Sequence, residues 1–170
     1  MKKTVFLLAS LFVMACGIQS VKAQTASATA TANATATIIT PITIGKVADL
    51  NFGNIVAGTG AGTVTVPTEG ARTKTGDVIL PAATPGTINA AKFTVTGLAD
   101  ATYTITLPGS ATISETGGKT MTVTFTSNPS GTGTLTGGTQ DLFVGATLNV
   151  GAAQTAGNYT GTFNVTVAYN

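Results

Sequence analysis

Apolar residues fall on alternate positions in a series of short runs along this chain. Val64 and Val66 alternate ahead of Pro67, Phe93 and Val95 in AKFTVTG, and Tyr103, Ile105 and Leu107 in TYTITLP. Met121, Val123 and Phe125 do so in KTMTVTFTS, and Leu142, Val144, Ala146, Leu148 and Val150 in DLFVGATLNV. Val78–Leu80 is a short continuous apolar run closed by Pro81. A period of two places the apolar members of each run on one face of an extended chain, the mark of a half-buried strand. Between the runs stand turn formers: Gly58-Thr59-Gly60, Pro85-Gly86, Leu98-Ala99-Asp100, Pro108-Gly109, Gly117-Gly118 and Gly137-Gly138. No stretch beyond the first two dozen residues carries a helical stripe. Eight or nine short strands at hairpin spacing predict an all-β, immunoglobulin-like antiparallel β-sandwich.

Two segments stand out within this rhythm. Asp49-Leu50-Asn51-Phe52-Gly53-Asn54-Ile55 reads as a short strand with Leu50 and Phe52 inward, bent or ended at Gly53. At the other end, Gly157–Asn170 (GNYTGTFNVTVAYN) puts Tyr159, Phe163, Val165, Val167 and Tyr169 on every second position, broken only by Gly161. That pattern predicts a terminal strand from Tyr159 to Tyr169, with Gly157 allowing a turn or a close approach at its start.

The N-terminal region divides differently. Lys2 and Lys3 precede an apolar stretch from Val5 to Ala15, and Val21-Lys22-Ala23 offers small residues where a signal peptidase reads. The apolar stretch is too short to span a bilayer, so residues 1–23 read as a secretory signal peptide cut between Ala23 and Gln24. Lipidation at Cys16 is the second reading, set back by Met14 in the lipobox-like VMAC-G. From Thr25 to Thr37 every even position is Ala and every odd one Thr, Ser or Asn. Ile38, Ile39, Ile42 and Ile44 then raise the hydrophobicity, with Pro41 interrupting any continuous ladder. The expected organisation is a signal peptide over 1–23, an alternating Ala/Thr extension over 24–37, and a β-sandwich domain over 38–170.

Composition narrows the chemistry. Charged residues make up 8% of the chain, against roughly 25% in ordinary soluble proteins. Thr, Ser, Asn and Gly carry the polar surface instead, and β-branched Thr favours strands while staying wettable. The net charge of +2 belongs to the leader: without Lys2, Lys3 and Lys22, five basic residues face six acidic ones. Nothing in this balance points to nucleic acid or to an anionic membrane surface, and the mature chain carries no transmembrane span.

Cys16 is the only cysteine and His is absent, so a processed chain has no thiol chemistry, no disulfide and no zinc-type ligand. General-base candidates reduce to carboxylates, amines and tyrosines, and Asp49, Glu69, Asp77, Asp100, Glu115 and Asp141 lie singly, most beside turns. Asp49 with Asn51 and Asn54 is the nearest oxygen-rich cluster, for which turn bonding around Gly53 is the simpler role. Gly58–Gly62 lacks the Lys and helix of a phosphate loop. Nearly all mature aromatics sit in inward register. Phe143, out of phase with Leu142 and Val144, faces the other side of its sheet or an exposed patch. No cofactor, metal or catalytic residue is expected, and the protein reads as a non-enzyme.

DLNFGNI, KFTVTGL, LFVGATLNV and AGNYTGTFNVTVAYN together resemble the bacterial family called domain of unknown function 4402, over about Ile38 to Asn170. That family is similar in turn to pilin-like and spore-coat-U-like domains with incomplete immunoglobulin folds. The terminal segment resembles the signature of chaperone–usher pilins, which has a glycine fourteenth from the end and a penultimate tyrosine; Gly157 and Tyr169 hold those places.

The resemblance implies a structural subunit of a cell-surface fibre, exported across the inner membrane and assembling by donor-strand exchange. The implied partners are other copies of itself or related subunits, a periplasmic chaperone and an outer-membrane usher. Gly157, Tyr159, Phe163, Val165, Val167 and Tyr169 form the assembly strand in that reading. Ala34, Ala36, Ile38, Ile42 and Ile44 fall in the candidate donor segment. Two departures are evident: no disulfide can staple the sandwich, and no adhesin domain is added. Two alternatives stand open. Residues 24–37 are a spacer and Ile38–Ile44 the domain's own first strand, or the chain is a self-complete monomeric module that binds a ligand through its loops. The destination is the cell surface or the medium, with the periplasm also open.

Overall fold

A computed structural model describes residues 26–170; the leader, Cys16 and the cleavage pair Ala23–Gln24 lie outside the described residues. The described chain divides after Thr37 into two units. In the first, residues 26–37 form neither helix nor strand and are exposed throughout. The second, Ile38–Asn170, is all-β. Its strands are β1 (Thr43–Ala48), β2 (Asn51–Phe52), β3 (Val56–Val66), β4 (Thr73–Ile79), β5 (Ile88–Asn89) and β6 (Ala91–Thr96). They continue as β7 (Thr102–Thr106), β8 (Ala111–Ser114), β9 (Thr120–Asn128), β10 (Thr132–Thr134), β11 (Thr139–Val150) and β12 (Thr166–Tyr169).

Strand β11 organises the domain. Its first half pairs with β6, from Thr139↔Thr96 to Val144↔Ala91, and its second half with β3, from Ala146↔Val66 to Val150↔Gly62. Residues 143–149 pair with β9 along the opposite edge. Outside these lie β1 on β6, β4 on β3 and β8 on β9, giving a seven-stranded antiparallel sheet that twist curls around its inner face. A second, short sheet has the order β10–β7–β12, and β2 pairs with β5 in a two-residue ribbon. The result is sandwich-like and antiparallel throughout.

The alternation read in the sequence sets which face is inward. Leu142, Val144, Ala146, Leu148 and Val150 of β11 are all buried, while Thr139, Asp141 and Asn149 are exposed. The core divides along β11 into two clusters. Near the Thr139 end, Val95, Leu142 and Val144 pack under Tyr103, Ile105 and Leu135, which belong to or adjoin the short sheet. Near the Val150 end, Val64, Val78, Val123, Ala146, Leu148 and Val150 form the second cluster, against which Leu50, Phe52 and Ile55 pack from an irregular stretch. The short sheet contributes no residue to that second cluster. This asymmetry positions the site.

Two strands have no hydrophobic signature. β10 is Thr-Gly-Thr, with Gly133 buried because a Cβ there would strike the Tyr103 ring and the Gln140 side chain. β8 offers only Ile113, half-buried, as an inward apolar anchor. The first strand also differs from expectation. It begins at Thr43 rather than Ile38, because Pro41 has no N–H to donate and the ladder to β6 starts only at Thr43↔Thr96. Phe143 is on the outer face, half-buried, with Lys92 Nζ 5.4 Å above its ring and bridged to Asp141 at 2.7 Å.

Candidate functional site

The predicted terminal strand is only half a strand. Tyr159, Phe163, Val165, Val167 and Tyr169 are all half-buried and the intervening residues exposed, as the alternation requires. Yet the ladder covers only Thr166–Tyr169, paired with Thr106–Tyr103 of β7. Upstream, Thr160 and Ser114 exchange a pair of main-chain bonds, each 2.9 Å, in an isolated bridge. Gly161–Val165 belong to no ladder. Gly161 explains part of the break, since a Cβ there would lie 2.9 Å from Ile113 Cγ2 and against the Thr112 carbonyl. Gly157 likewise passes close to β8's end, its would-be Cβ 3.2 Å from Glu115 Cβ. The terminal segment thus runs antiparallel beside β7 and then β8 on one edge, and among the described residues β12 has no strand on its other edge.

What borders that second edge changes along its length. Near the Thr139 end the chain's own N-terminal stretch closes the seam: Ile42 and Ile44 pack against the first cluster with Val165, Val167 and Tyr169. The Tyr169 hydroxyl accepts a hydrogen bond from the Leu98 N–H (2.6 Å) and donates one to the Thr40 carbonyl (2.8 Å). Phe163 stacks at 4.5 Å, ring centre to ring centre, on Phe125 and meets Phe93 edge-on at 6.4 Å. Beyond this aromatic group the seam opens into a cleft of about 870 Å³. Gln154–Phe163 form one wall and Lys46–Ala57 the other. The floor is the second core cluster, with Met121, Val123, Phe125, Leu148 and Val150 exposed to the cleft from the large sheet.

The Leu50–Ile55 wall is held by turn chemistry. Gly53 has φ +70, a conformation in which a side chain is strained, and it ends β2. Arg72 Nη1 donates to the Phe52 carbonyl and to the Asn54 carbonyl (3.0 Å). Asn54 donates its side-chain amide to Thr84 O (3.0 Å) and its N–H to Pro85 O (2.7 Å). Asp49 pairs with Lys46 at 2.6 Å. Asp49 and Asn54 thus serve the local fold, through Lys46 and through the Thr84 and Pro85 carbonyls.

The other carboxylates serve their own neighbourhoods. Gly60 N–H and the Thr59 hydroxyl hold Asp77 below the usual carboxylate range. The Gly117 and Lys119 N–H groups do the same for Glu115 in its turn. Asp141 is lowered chiefly by its bond to Lys92, and burial pushes the Tyr103 hydroxyl up. Among the described residues no cluster of three metal-ligating side chains occurs, and no helix is long and apolar enough to cross a membrane.

The features that sequence reasoning missed are the cleft's floor and far wall. Each floor residue was legible as inward-facing; that the short sheet leaves them uncovered was not. Fold and site together define an all-β, sandwich-like domain whose core is covered by strands at one end and open at the other. The chain belongs to the family described as domain of unknown function (DUF4402), whose model matches residues 42–169. The searches of curated proteins and of solved structures returned no match.

Proposed function

We propose that this protein is an exported, non-enzymatic structural subunit that assembles by strand addition into a cell-surface fibre. The observation that carries the reading is the free edge of the terminal segment beside an apolar cleft. An extended chain laid there would gain main-chain hydrogen bonds along Gly161–Phe163 and cover apolar floor residues, as strand addition does elsewhere. An uncovered sheet edge on a domain with so few charges also invites pairing, so an occupant is physically favoured over solvent. Export rests on the leader-like residues 1–23, and the chaperone and usher on the pilin resemblance of Gly157–Tyr169.

The alternative is a self-contained surface module that binds a ligand through its loops. Its support is that β1 pairs with β6 and that Ile42 and Ile44 pack into their own domain's core. The test is an unheated denaturing gel of protein taken from its native surface fraction, beside a variant lacking Thr25–Thr37. A ladder that collapses on boiling and is missing in the variant is the expected result. A single monomer band in both lanes retires the fibre reading.

A further inference from the structure

We infer that a pocket on the outer face of the large sheet binds a neutral saccharide. The Phe143 ring takes the apolar face of a sugar, and Lys92, Glu69 and Asn89 take its hydroxyls. The pocket lies across the sheet from the cleft, whose floor is Leu148 and Val150 of the inner face, so the inference stands apart from the strand-addition reading.

An aromatic side chain is out of place at this position. The outer positions of β11 are Thr139, Asp141, Phe143, Gly145, Thr147 and Asn149, and Phe143 alone of these is large and apolar. The core has no need of it, since Leu142 and Val144 on either side fill the inner face and are fully buried. The half-buried ring borders a cavity of about 380 Å³. That is toward the lower end of the roughly 300–1,000 Å³ of small-molecule sites, a size for a short saccharide.

The cavity has built walls. On one side the chain from Pro67 to Gly70 crosses β11 at Gly145, which is buried although it faces outward. A Cβ at Gly145 would lie 2.7 Å from the Thr68 nitrogen, so the crossing is close. On the other side stand Ile88 and Asn89 of β5. Arg72, just beyond the first wall in the chain, donates to the Phe52 and Asn54 carbonyls, and Phe52 is the ladder partner of Ile88. Walls tied together in this way make a pocket that is formed in advance of its ligand.

The polar lining suits groups without net charge. Lys92 and Glu69 are the charged residues bordering the cavity, and their signs are opposite. Lys92 Nζ lies 5.4 Å from the ring centre and is bridged to Asp141 at 2.7 Å, which uses one of its N–H donors and leaves others. Glu69 accepts from Asn128 Nδ2 at 3.4 Å and has further acceptor capacity. The Asn89 amide both donates and accepts. A sugar hydroxyl also does both, whereas a phosphate or sulfate would face Glu69 and an ammonium would face Lys92, each with like-charge repulsion. An aromatic ring edged by such groups complements a pyranose, which has an apolar C–H face and a hydroxyl rim.

The test is retention of the full chain on immobilised cellulose, mannan and galactan, with heparin and chitosan as the anionic and cationic polymers. Retention on a neutral polymer, reversed by the corresponding free sugar, is expected. Phe143→Ala should weaken it about tenfold or more, while Phe143→Tyr keeps the ring and the retention. Glu69→Gln lies at an exposed rim position and should weaken retention with an unchanged Tm, which separates a lost contact from a disturbed wall. Retention on no neutral polymer, retention on heparin or chitosan alone, or retention unchanged by either Phe143→Ala or Glu69→Gln overturns the inference. The unheated gel ladder should match wild type in all three variants; its loss in them would make this face an assembly contact and overturn the inference too. A wild type without a ladder bears on the strand-addition reading alone.

Discussion

Replacing Tyr169 by Phe isolates one hydroxyl that ties three parts of the chain together. The ring stays, so its packing against the first core cluster is kept. Two hydrogen bonds are lost, to the Leu98 N–H and the Thr40 carbonyl. An intramolecular hydrogen bond contributes about 0.5–1.5 kcal/mol net, and both partners here are within reach of water, so the pair should contribute about 1–2 kcal/mol. For a domain of this size, 1 kcal/mol corresponds to about 3–5 °C in Tm, which gives a fall of about 3–10 °C. Calorimetry measures the shift, and amide hydrogen exchange at Leu98 reports the same contact locally, because that N–H has lost its acceptor. A Tm within a degree of wild type together with unchanged Leu98 exchange would show that the hydroxyl does not strap the N-terminal stretch to the terminal strand.

Three further outcomes are expected. Leu142, fully buried under Tyr103 and Ile105, should cost about 2–5 kcal/mol when changed to Ala, read as a lower urea midpoint. Val165→Asp puts a charge among the half-buried side chains of the terminal segment; soluble yield and the gel ladder should both fall, and wild-type values for both would sink the assembly strand. Stability against pH should form a plateau with two flanks, followed by circular dichroism. Asp77, Glu115 and Asp141 have depressed folded values, so their contribution is present above the ordinary carboxylate range and lost as pH falls through the folded values. Tyr103 has a raised folded value, so its contribution is present below the ordinary tyrosine value of 10.0 and lost as pH rises through the folded one. A transition centred near neutrality would contradict this, since the chain has no histidine.

How much of this was legible in the sequence depends on whether a property is local. Strand faces were legible, because burial of one side of a pleated chain imposes a period of two: Val64, Val95, Tyr103, Val123 and Leu148 are all inward as their alternation requires. The end of β2 was legible in Gly53, since a left-handed turn demands a residue without a Cβ. β10 was not, because a buried glycine packed on Tyr103 leaves no hydrophobic mark.

Partnership of strands depends on residues far apart, which no local pattern records. An all-β domain, its inward residues and a terminal segment with one apolar face could all be read from the alternation. It could not determine that β12 pairs for only four residues, that β7 and β8 sit in different sheets, or that Thr40–Ile44 closes the seam at one end alone. Each of those outcomes turns on which main-chain groups find partners outside their own segment, as Thr166 does with Thr106 and Thr43 with Thr96. A side-chain pattern states which face is buried and is silent on what covers it, and the uncovered stretch is where the candidate site lies.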